Sequence, residues 1–363
     1  MPQECRGPGK TRTVDLHAGD PNSELAVVSI DTTPGPASQM YEATLNHFGY
    51  EHYLLGSTKE KPQPPSNGVF RLAFWHYRYQ RYLETVQQIA KTNPRKIIIL
   101  SDANDVLFAA PPAELIQKFK QTGKEIILTG HMSCCNVRLY EYVREEAKSL
   151  HFEESDLFST DPKIKDSIGL LQFLLAVQGR KYGDSDGPLY LWTPAAQREM
   201  KLIKAIPMVT KYRYVNAGGV MGYANSLAKA MTELNMQPFD DDEEQWTLWY
   251  AGANGGYHSQ RALLDYQRDM FALVDDFVEG ETDKLRVLFD DQPELPTGKF
   301  FNFTLDAQKN RWKTEFGTYP VIFHCAGCNV SSEKMRIFHE RILRVMDAQS
   351  FLSPALFQYV GKC

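Results

Sequence analysis

The 363-residue sequence has no long apolar segment, because its longest purely aliphatic runs are only four residues. A membrane-spanning helix needs about 20 apolar residues, so the sequence predicts none. The polar stretch 1–24 also lacks the apolar core of a secretory signal peptide. These two absences predict a cytoplasmic or nuclear protein with no membrane partner.

An excess of charge of one sign is also missing. The formal net charge is -5 and the sequence pI is about 6.0, which indicates no overall bias toward nucleic acid or anionic membranes. Six cysteines in a chain of this length do not suggest a disulfide framework. Cys134–Cys135 and Cys325–Cys328 raise zinc as an alternative, but adjacent cysteines are poor joint ligands for one tetrahedral ion.

Short apolar runs of the kind that form buried strands are present instead. They alternate with helical patterns, the longest of which is the aromatic-rich stretch Phe70–Ala90, and four of them read as strands: Leu25–Ile30, His52–Leu55, Ile97–Leu100 and Glu125–Gly130. This alternation predicts an α/β fold with a mostly parallel central sheet flanked by helices. No G-x-G-x-x-G follows the first strand, which argues against a dinucleotide-binding fold.

Pattern and composition also divide the chain. Residues 1–24 are predicted to be a disordered polar tail and residues 25–346 a single domain. Within that domain, about 134–209 has helical patterns separated by acidic and glycine-rich loops, which indicates an inserted segment. Residues 347–363 are predicted to be a C-terminal tail.

Two aspartates follow the most apolar of these strands. Asp102 and Asp105 come directly after Ile97–Ser101, at the carboxyl end of the strand, where open α/β sheets bind ligands. The alternative is that they cap a turn, since aspartate is favoured at such positions. Gly218 and Gly219 in YVNAGGVMGYA indicate a sharp bend or a close approach of ligand to backbone.

Two further features carry potential ligands. The run Asp240–Glu244 precedes Gln245 and a tryptophan-rich helix, and its alternative role is a solvated helix start favoured by the helix dipole. His324 ends the apolar strand of TYPVIFHCAG, where a histidine packed in the core is the alternative.

In this order the motifs resemble the glycosyltransferase domain of the collagen lysyl hydroxylases, the procollagen galactosyl/glucosyltransferase family, which is a GT-A type nucleotide-diphospho-sugar transferase. The resemblance implies that Asp102, Asp105 and His324 are metal ligands. It implies donor contacts from six residues: Thr32, Asn104, Asn216, Gly218, Gly219 and Gly327. Asn104 stands where the family has a tyrosine that stacks on uracil, and Cys325 stands where it has a glycine. The acids implied in transfer are Asp242, Glu243 and Glu244.

The resemblance therefore implies a metal-dependent glycosyltransferase. It would move a hexose, glucose or galactose, from a UDP-sugar to a hydroxyl acceptor on protein, glycan or modified nucleic acid. Carboxylates with one imidazole suit Mn²⁺, with Mg²⁺ as an alternative, and the metal would neutralise the leaving diphosphate.

Two other functions stay open. One is a glucosyltransferase acting on a hydroxymethylated base in DNA, as in base J synthesis. A basic, aromatic groove for it would be sought at 70–81 and 201–213, although amphipathic packing with a solvated face is the favoured interpretation there. The other is a non-catalytic nucleotide-sugar-binding module.

Overall fold

The computed structural model describes residues 16–31, 35–56, 69–131, 194–207, 209–210, 212, 214–237, 240–252, 258–274, 303–326, 333–346 and 348–362. All structural statements below concern these ranges. Residues 1–15 of the predicted tail and most of the predicted insertion (132–193) therefore lie outside them.

A seven-stranded sheet forms the centre of the fold, in the order β1-β3-β2-β4-β7-β6-β8. Its strands are β1 (Leu16–Ala18), β2 (Leu25–Ile30), β3 (Glu51–Leu55), β4 (Ile97–Asp102), β6 (Ile126–His131), β7 (Tyr214–Tyr223) and β8 (Ala262–Asp265). Every residue of β2 is buried, as are the first five residues of both β4 and β6. This burial explains why these strands could be located as continuous apolar runs.

The predicted α/β class with a central sheet and flanking helices is confirmed. The expectation of mostly parallel pairing is corrected, because three pairings are parallel and three antiparallel. One antiparallel pairing joins β1 to β3, and the other two involve β7, which enters beside the carboxyl end of β6, with Tyr214 opposite His131. β7 is therefore antiparallel to both β6 and β4. The apolar pattern of a strand does not predict its direction in the sheet.

Nine helices flank the sheets in the described part of the chain. They are α1 (Pro36–Phe48), α2 (Val69–Thr92), α3 (Pro112–Gln121), α4 (Pro194–Ala205), α5 (Ala224–Leu234), α6 (Asp242–Ala251), α7 (His258–Arg261), α8 (Glu333–Leu343) and α9 (Pro354–Lys362). α2, predicted at 70–90, packs mainly on α5 and also touches β2 and α6. α1 ends at Gly49, whose φ of 75° is a left-handed conformation that glycine adopts without strain.

α2 is more buried than its amphipathic pattern suggests. Five consecutive residues, Trp75–Tyr79, are all buried, and within 74–92, where burial is described, the first exposed residue is Glu84. Over that range the solvated face therefore lies in the C-terminal half of the helix. These aromatic side chains are part of the main core and do not line a groove.

A smaller sheet lies beside the central one. It has the order β5-β12-β9, formed by β5 (Val106–Phe108), β12 (Ile322–His324) and β9 (Phe271–Leu273). A hairpin of β10 (Thr304–Asp306) and β11 (Arg311–Lys313) precedes β12. Because β5 follows β4 after three residues, the small sheet brings β12 next to the carboxyl end of β4.

Both predicted tails contain ordered elements. β1 lies within 1–24 and pairs with β3, where His17 stacks on Tyr53 with ring centroids 4.2 Å apart. Residues 348–362 form a 3₁₀ turn (Ala348–Ser350) and α9, and they bury Leu352 and Leu356 in a core cluster with α8. The segment is short but rich in apolar residues, and its assignment to a tail did not take them into account.

Across the described ranges, no helix combines the length and apolar character needed to cross a lipid bilayer.

Candidate functional site

Strand register brings the three predicted metal ligands together. Asp102 is the last residue of β4, and β5 begins four residues later. β12 pairs with β5 so that His324 lies opposite Val106, and the amide of Cys325 donates to the carbonyl of Asp105 at 2.8 Å. His324 therefore sits one position from Asp105, although the two are over 200 residues apart in sequence.

The three side chains form a compact group. One ligand atom from each of Asp102, Asp105 and His324 lies within 4.8 Å of the others. His324 Nε2 is 3.7 Å from Asp102 Oδ2 and 3.5 Å from Asp105 Oδ2. Two carboxylates and one imidazole at these separations fit a divalent cation of the Mn²⁺ or Mg²⁺ type.

Burial affects the carboxyl of Asp105. It raises the pKa of Asp105 above its ordinary value, and the neighbouring His324 ring partly offsets that rise. Two carboxyls that close together repel as anions, so a positive charge between them is favourable. This electrostatic environment suits a cation site better than a turn cap.

The backbone at Gly218 closes the site on one side. A Cβ added there would lie 2.2 Å from His324 Cε1 and 2.8 Å from Asp102 Oδ2. The register of β6 and β7 shifts between Leu128 and Thr129, which releases 217–219 from the β6 ladder. The backbone at Gly218 is therefore closely approached by the side chains of Asp102 and His324, and the approach of a ligand there stays a prediction. At Gly219 a Cβ would be 2.5 Å from Thr129 Oγ1.

Arg78 is a cation that sequence reasoning did not assign to the site. Its guanidinium, buried on α2, donates to Asp102 Oδ1 and to Asp242 Oδ2. Burial by itself lowers the pKa of Arg78, but the two carboxylates more than offset it and raise that pKa well above its ordinary value. Arg78 thus ties one of the three clustered side chains to the acidic run on α6.

The acids of the run Asp240–Glu244 have different environments. Asp240 accepts the amide of Gln237 at 2.8 Å, and Asp241 is the N-cap of α6, accepting the amide of Glu244 at 2.8 Å. Asp242 pairs with Arg78, and the Glu244 side chain has no exposed surface. Only Asp241 therefore has a helix-start role, and its burial departs from the solvated position that the alternative supposed.

Glu243 is the most exposed acid of the run, with 29% of its side chain accessible. Its Oε1 accepts from Asn216 Nδ2 at 2.5 Å, and its Oε2 is 3.9 Å from His131 Nδ1. Asn216 also accepts the amide of Gly218 at 3.0 Å. This chain of contacts links Glu243 to the backbone that packs on Asp102 and His324.

The predicted donor contacts are only partly described. Thr32 and Gly327 lie outside the described residues. Asn104 stands between Asp102 and Asp105, and its buried Oδ1 accepts no hydrogen bond from the part of the chain that the structure describes. Cys325 is buried and disulfide-bonded, which removes it from the zinc alternative.

Sequence reasoning missed Arg78 and His131. Arg78 stands among the aromatic residues of the α2 pattern, so its charge did not suggest a site residue. The one indication that it is buried is its i, i+4 spacing from Tyr82, which places both residues on the same face of the helix. His131 directly follows a predicted strand, at the same sheet edge as Asp102. A rule that examines every polar residue at a carboxyl strand end would have found it.

The family model of the PLOD GT domain, the collagen lysyl hydroxylase glycosyltransferase domain, matches residues 21–146. This match covers about a third of the chain and confirms the resemblance over that range. It includes Asp102 and Asp105 but neither His324 nor the acidic run. The match supports a glycosyltransferase domain.

No curated protein matches the sequence. The apo structure of WbbM, a bifunctional glycosyltransferase, is similar at 13% identity with a TM-score of 0.39. The similarity covers 96% of this chain and 52% of WbbM, so the chain spans about half of that structure. This likeness is too distant to bear on the fold or the site.

Proposed function

We propose that this chain is a metal-dependent glycosyltransferase that moves a hexose from a UDP-sugar to a hydroxyl acceptor. The observation that carries the proposal is the convergence of Asp102, Asp105 and His324 from two different strands. The match of residues 21–146 to a glycosyltransferase domain supports the reaction class.

Asp102, Asp105 and His324 would hold Mn²⁺ or Mg²⁺. The bound cation would supply charge neutralisation for the departing diphosphate. The chain's own contribution is to fix the ligands beforehand. Arg78 holds Oδ1 of Asp102 and leaves Oδ2 facing His324, while the Gly218 backbone blocks the space into which the imidazole could rotate.

The donor would be bound by residues around this centre. Gly218 and Gly219 bring backbone close to where the sugar lies, and Thr32 and Gly327 are proposed to contact uridine and diphosphate. Asn104 would face the base, offering an amide in place of an aromatic ring. Its buried carbonyl oxygen is suited to accept one hydrogen bond from the uracil edge.

The acids of α6 would serve the acceptor side. Asp242, Glu243 and Glu244 are the proposed transfer residues, and they differ in accessibility. Asp242 is 5% exposed and Glu244 is fully buried, so Glu243 is the acid best placed to meet an incoming hydroxyl. Asp242 and Glu244 would then act through the position of α6.

The DNA alternative gains no support from the described surface of α2, because its aromatic residues Trp75–Tyr79 are buried in the core. The alternative of a non-catalytic module predicts the same binding of a nucleotide sugar as the enzyme does, but no transfer of the sugar.

A donor screen tests the proposal. Purified protein with Mn²⁺ is incubated with UDP-glucose, UDP-galactose and GDP-mannose, and release of the nucleoside diphosphate is measured. Acceptor probes are methyl β-galactoside, free hydroxylysine and an oligonucleotide bearing 5-hydroxymethyluracil. We expect Mn²⁺-dependent UDP release from at least one UDP-sugar. UDP-sugar binding without release under all conditions would favour the binding module instead.

A further inference from the structure

Asn216 has a defined amide orientation. Its Oδ1 accepts the amide of Gly218 at 3.0 Å, and an oxygen is required there because a backbone N–H can only donate. Its Nδ2 must then be the atom that faces Glu243, to which it donates at 2.5 Å. Asn216 is 1% exposed, so the amide that makes both contacts is itself buried.

His131 approaches the same carboxylate from the other side. It is the last residue of β6, and Thr129, two residues earlier, lies opposite Asn216. Because side chains alternate along a strand, His131 and Asn216 share a face of the sheet. His131 Nδ1 is 3.9 Å from Glu243 Oε2, and 13% of its side chain is exposed.

Each oxygen of Glu243 thus faces its own nitrogen, one from Asn216 and one from His131. The side chain keeps 29% of its surface accessible, so the carboxylate is oriented and still reachable. A glutamate side chain has three rotatable bonds, and the hydrogen bond from Asn216, with the His131 ring nitrogen 3.9 Å from the other oxygen, limits that freedom before substrate arrives. Solvated helix-start acids do not need such support.

The same contacts set the position of Glu243 relative to the metal ligands. Asn216 holds both Glu243 and the Gly218 amide, and Gly218 packs against His324 and Asp102. A hydroxyl that meets Glu243 therefore stands in a fixed relation to Asp102 and His324.

We propose that Glu243 is the group that receives the acceptor hydroxyl, and that His131 and Asn216 are positioning residues that orient its carboxylate. The inference rests on the proposed glycosyltransferase function. In the step, the acceptor oxygen forms a bond to the anomeric carbon, the bond from that carbon to the diphosphate breaks with its electron pair leaving on UDP, and the hydroxyl proton passes to Glu243.

The test is a double-mutant cycle between Glu243 and His131. Transfer rates are measured with Mn²⁺, the UDP-sugar that turns over fastest in the donor screen and the best acceptor probe. Glu243→Gln should lower kcat by roughly 10²–10⁴, the usual value of a positioned acid–base group. His131→Leu should lower kcat by roughly 10², as a small misplacement of a reacting group does. The KM for the donor should stay within about twofold in both, because neither residue binds the diphosphate.

The double variant distinguishes positioning from general structural support. If His131 acts through Glu243, His131→Leu adds no further loss in the Glu243→Gln background. His131→Asn should restore part of the rate, since its amide nitrogen lies near the Nδ1 position. His47→Leu, a histidine on α1 stacked on Phe351, is the matched control and should leave kcat unchanged.

Three results overturn the inference. Additive losses in the double variant, or an unchanged kcat in His131→Leu, would contradict it while leaving Mn²⁺-dependent donor turnover by the unmodified chain intact. Absence of any donor turnover by the unmodified chain would overturn the proposed function and this inference together.

Discussion

Gly218 is packed so closely against His324 that a single added methyl group would overlap the imidazole, at 2.2 Å from Cε1. The contact joins the register-shifted segment of β7 to the end of β12. It explains why a glycine is required at this position on steric grounds, without any need for an unusual backbone angle.

Gly218→Ala should therefore displace His324 and weaken Mn²⁺ binding. We expect roughly a 10–100-fold loss of affinity, the range for disturbing groups that orient metal ligands. Overpacking should also cost about 1–3 kcal/mol of stability. Titration calorimetry with Mn²⁺ measures the first effect and urea unfolding the second.

Gly123→Ala is the control for that variant. Gly123 has a φ of +63° and open space around its Cα, so alanine there is strained but displaces nothing. Both variants should lose stability, and only Gly218→Ala should lose Mn²⁺ affinity. Equal Mn²⁺ affinity in the two variants would refute the role of the Gly218 contact.

Arg78→Met should destabilise the fold. It leaves the buried Asp242 and the partly exposed Asp102 without their shared cation, and breaking a buried ion pair costs at most about 3–5 kcal/mol. Arg78→Lys should destabilise the fold less, because a lysine keeps the positive charge. It should still cost some stability, because one ammonium group cannot reach both carboxylates at once. Urea unfolding of both variants checks the order.

Lys120→Met is the comparison for Arg78. Lys120 pairs with Glu24 at 2.5 Å, but about half of each side chain is exposed. Its loss should cost under about 1 kcal/mol. If Arg78→Met cost no more than Lys120→Met, the bridge between Asp102 and Asp242 would contribute nothing to stability.

His339 should make the fold acid-sensitive. It is fully buried on α8, and neither ring nitrogen has a hydrogen-bond partner among the described residues. Burial lowers its pKa to about 3, so the unfolded chain, with a histidine pKa of about 6.5, binds the proton first. Stability therefore falls as the pH drops from about 6.5 toward 3, by about 1.4 kcal/mol per pH unit.

Urea unfolding of the unmodified chain and of His339→Leu at pH 7 and pH 5 measures this effect. The unmodified chain should lose about 2 kcal/mol more than the variant between the two pH values. His47→Leu, on the exposed end of α1, should follow the unmodified chain. Parallel losses in the unmodified chain and His339→Leu would show that His339 does not titrate on unfolding.

Local patterns predicted much of this fold. The buried strands β2, β4 and β6 are continuous apolar runs, and α2 (Val69–Thr92) contains the whole of the predicted helical stretch Phe70–Ala90. The direction of β7 was not predictable, because it depends on where the chain returns to the sheet. The same limit applies to the bulge that releases Gly218 from the β6 ladder.

The candidate site divides in the same way. Asp102, Asp105 and His324 were singled out because each ends or follows an apolar strand, which is a local signal, and the family resemblance implied that they are metal ligands. The contacts of Arg78 with Asp242 and of His131 with Glu243 join residues far apart in sequence. They depend on how α2 and α6 pack on the sheet, which neither helix encodes by itself.

The central claim is that Asp102, Asp105 and His324 hold a divalent cation, and a Mn²⁺ titration of the unmodified chain and of Asp105→Ala tests it most directly. Asp105 lies in the turn between β4 and β5, so its loss should change stability little and abolish donor turnover. Asp20→Ala, at an exposed turn, is the control. The account predicts that one Mn²⁺ binds per chain. Asp105→Ala should lower the Mn²⁺ affinity by more than roughly 10–100-fold, which is the loss expected when a group that only orients a metal ligand is removed. Equal Mn²⁺ affinity in the unmodified chain and Asp105→Ala, or near-normal turnover by that variant at saturating Mn²⁺, would contradict it.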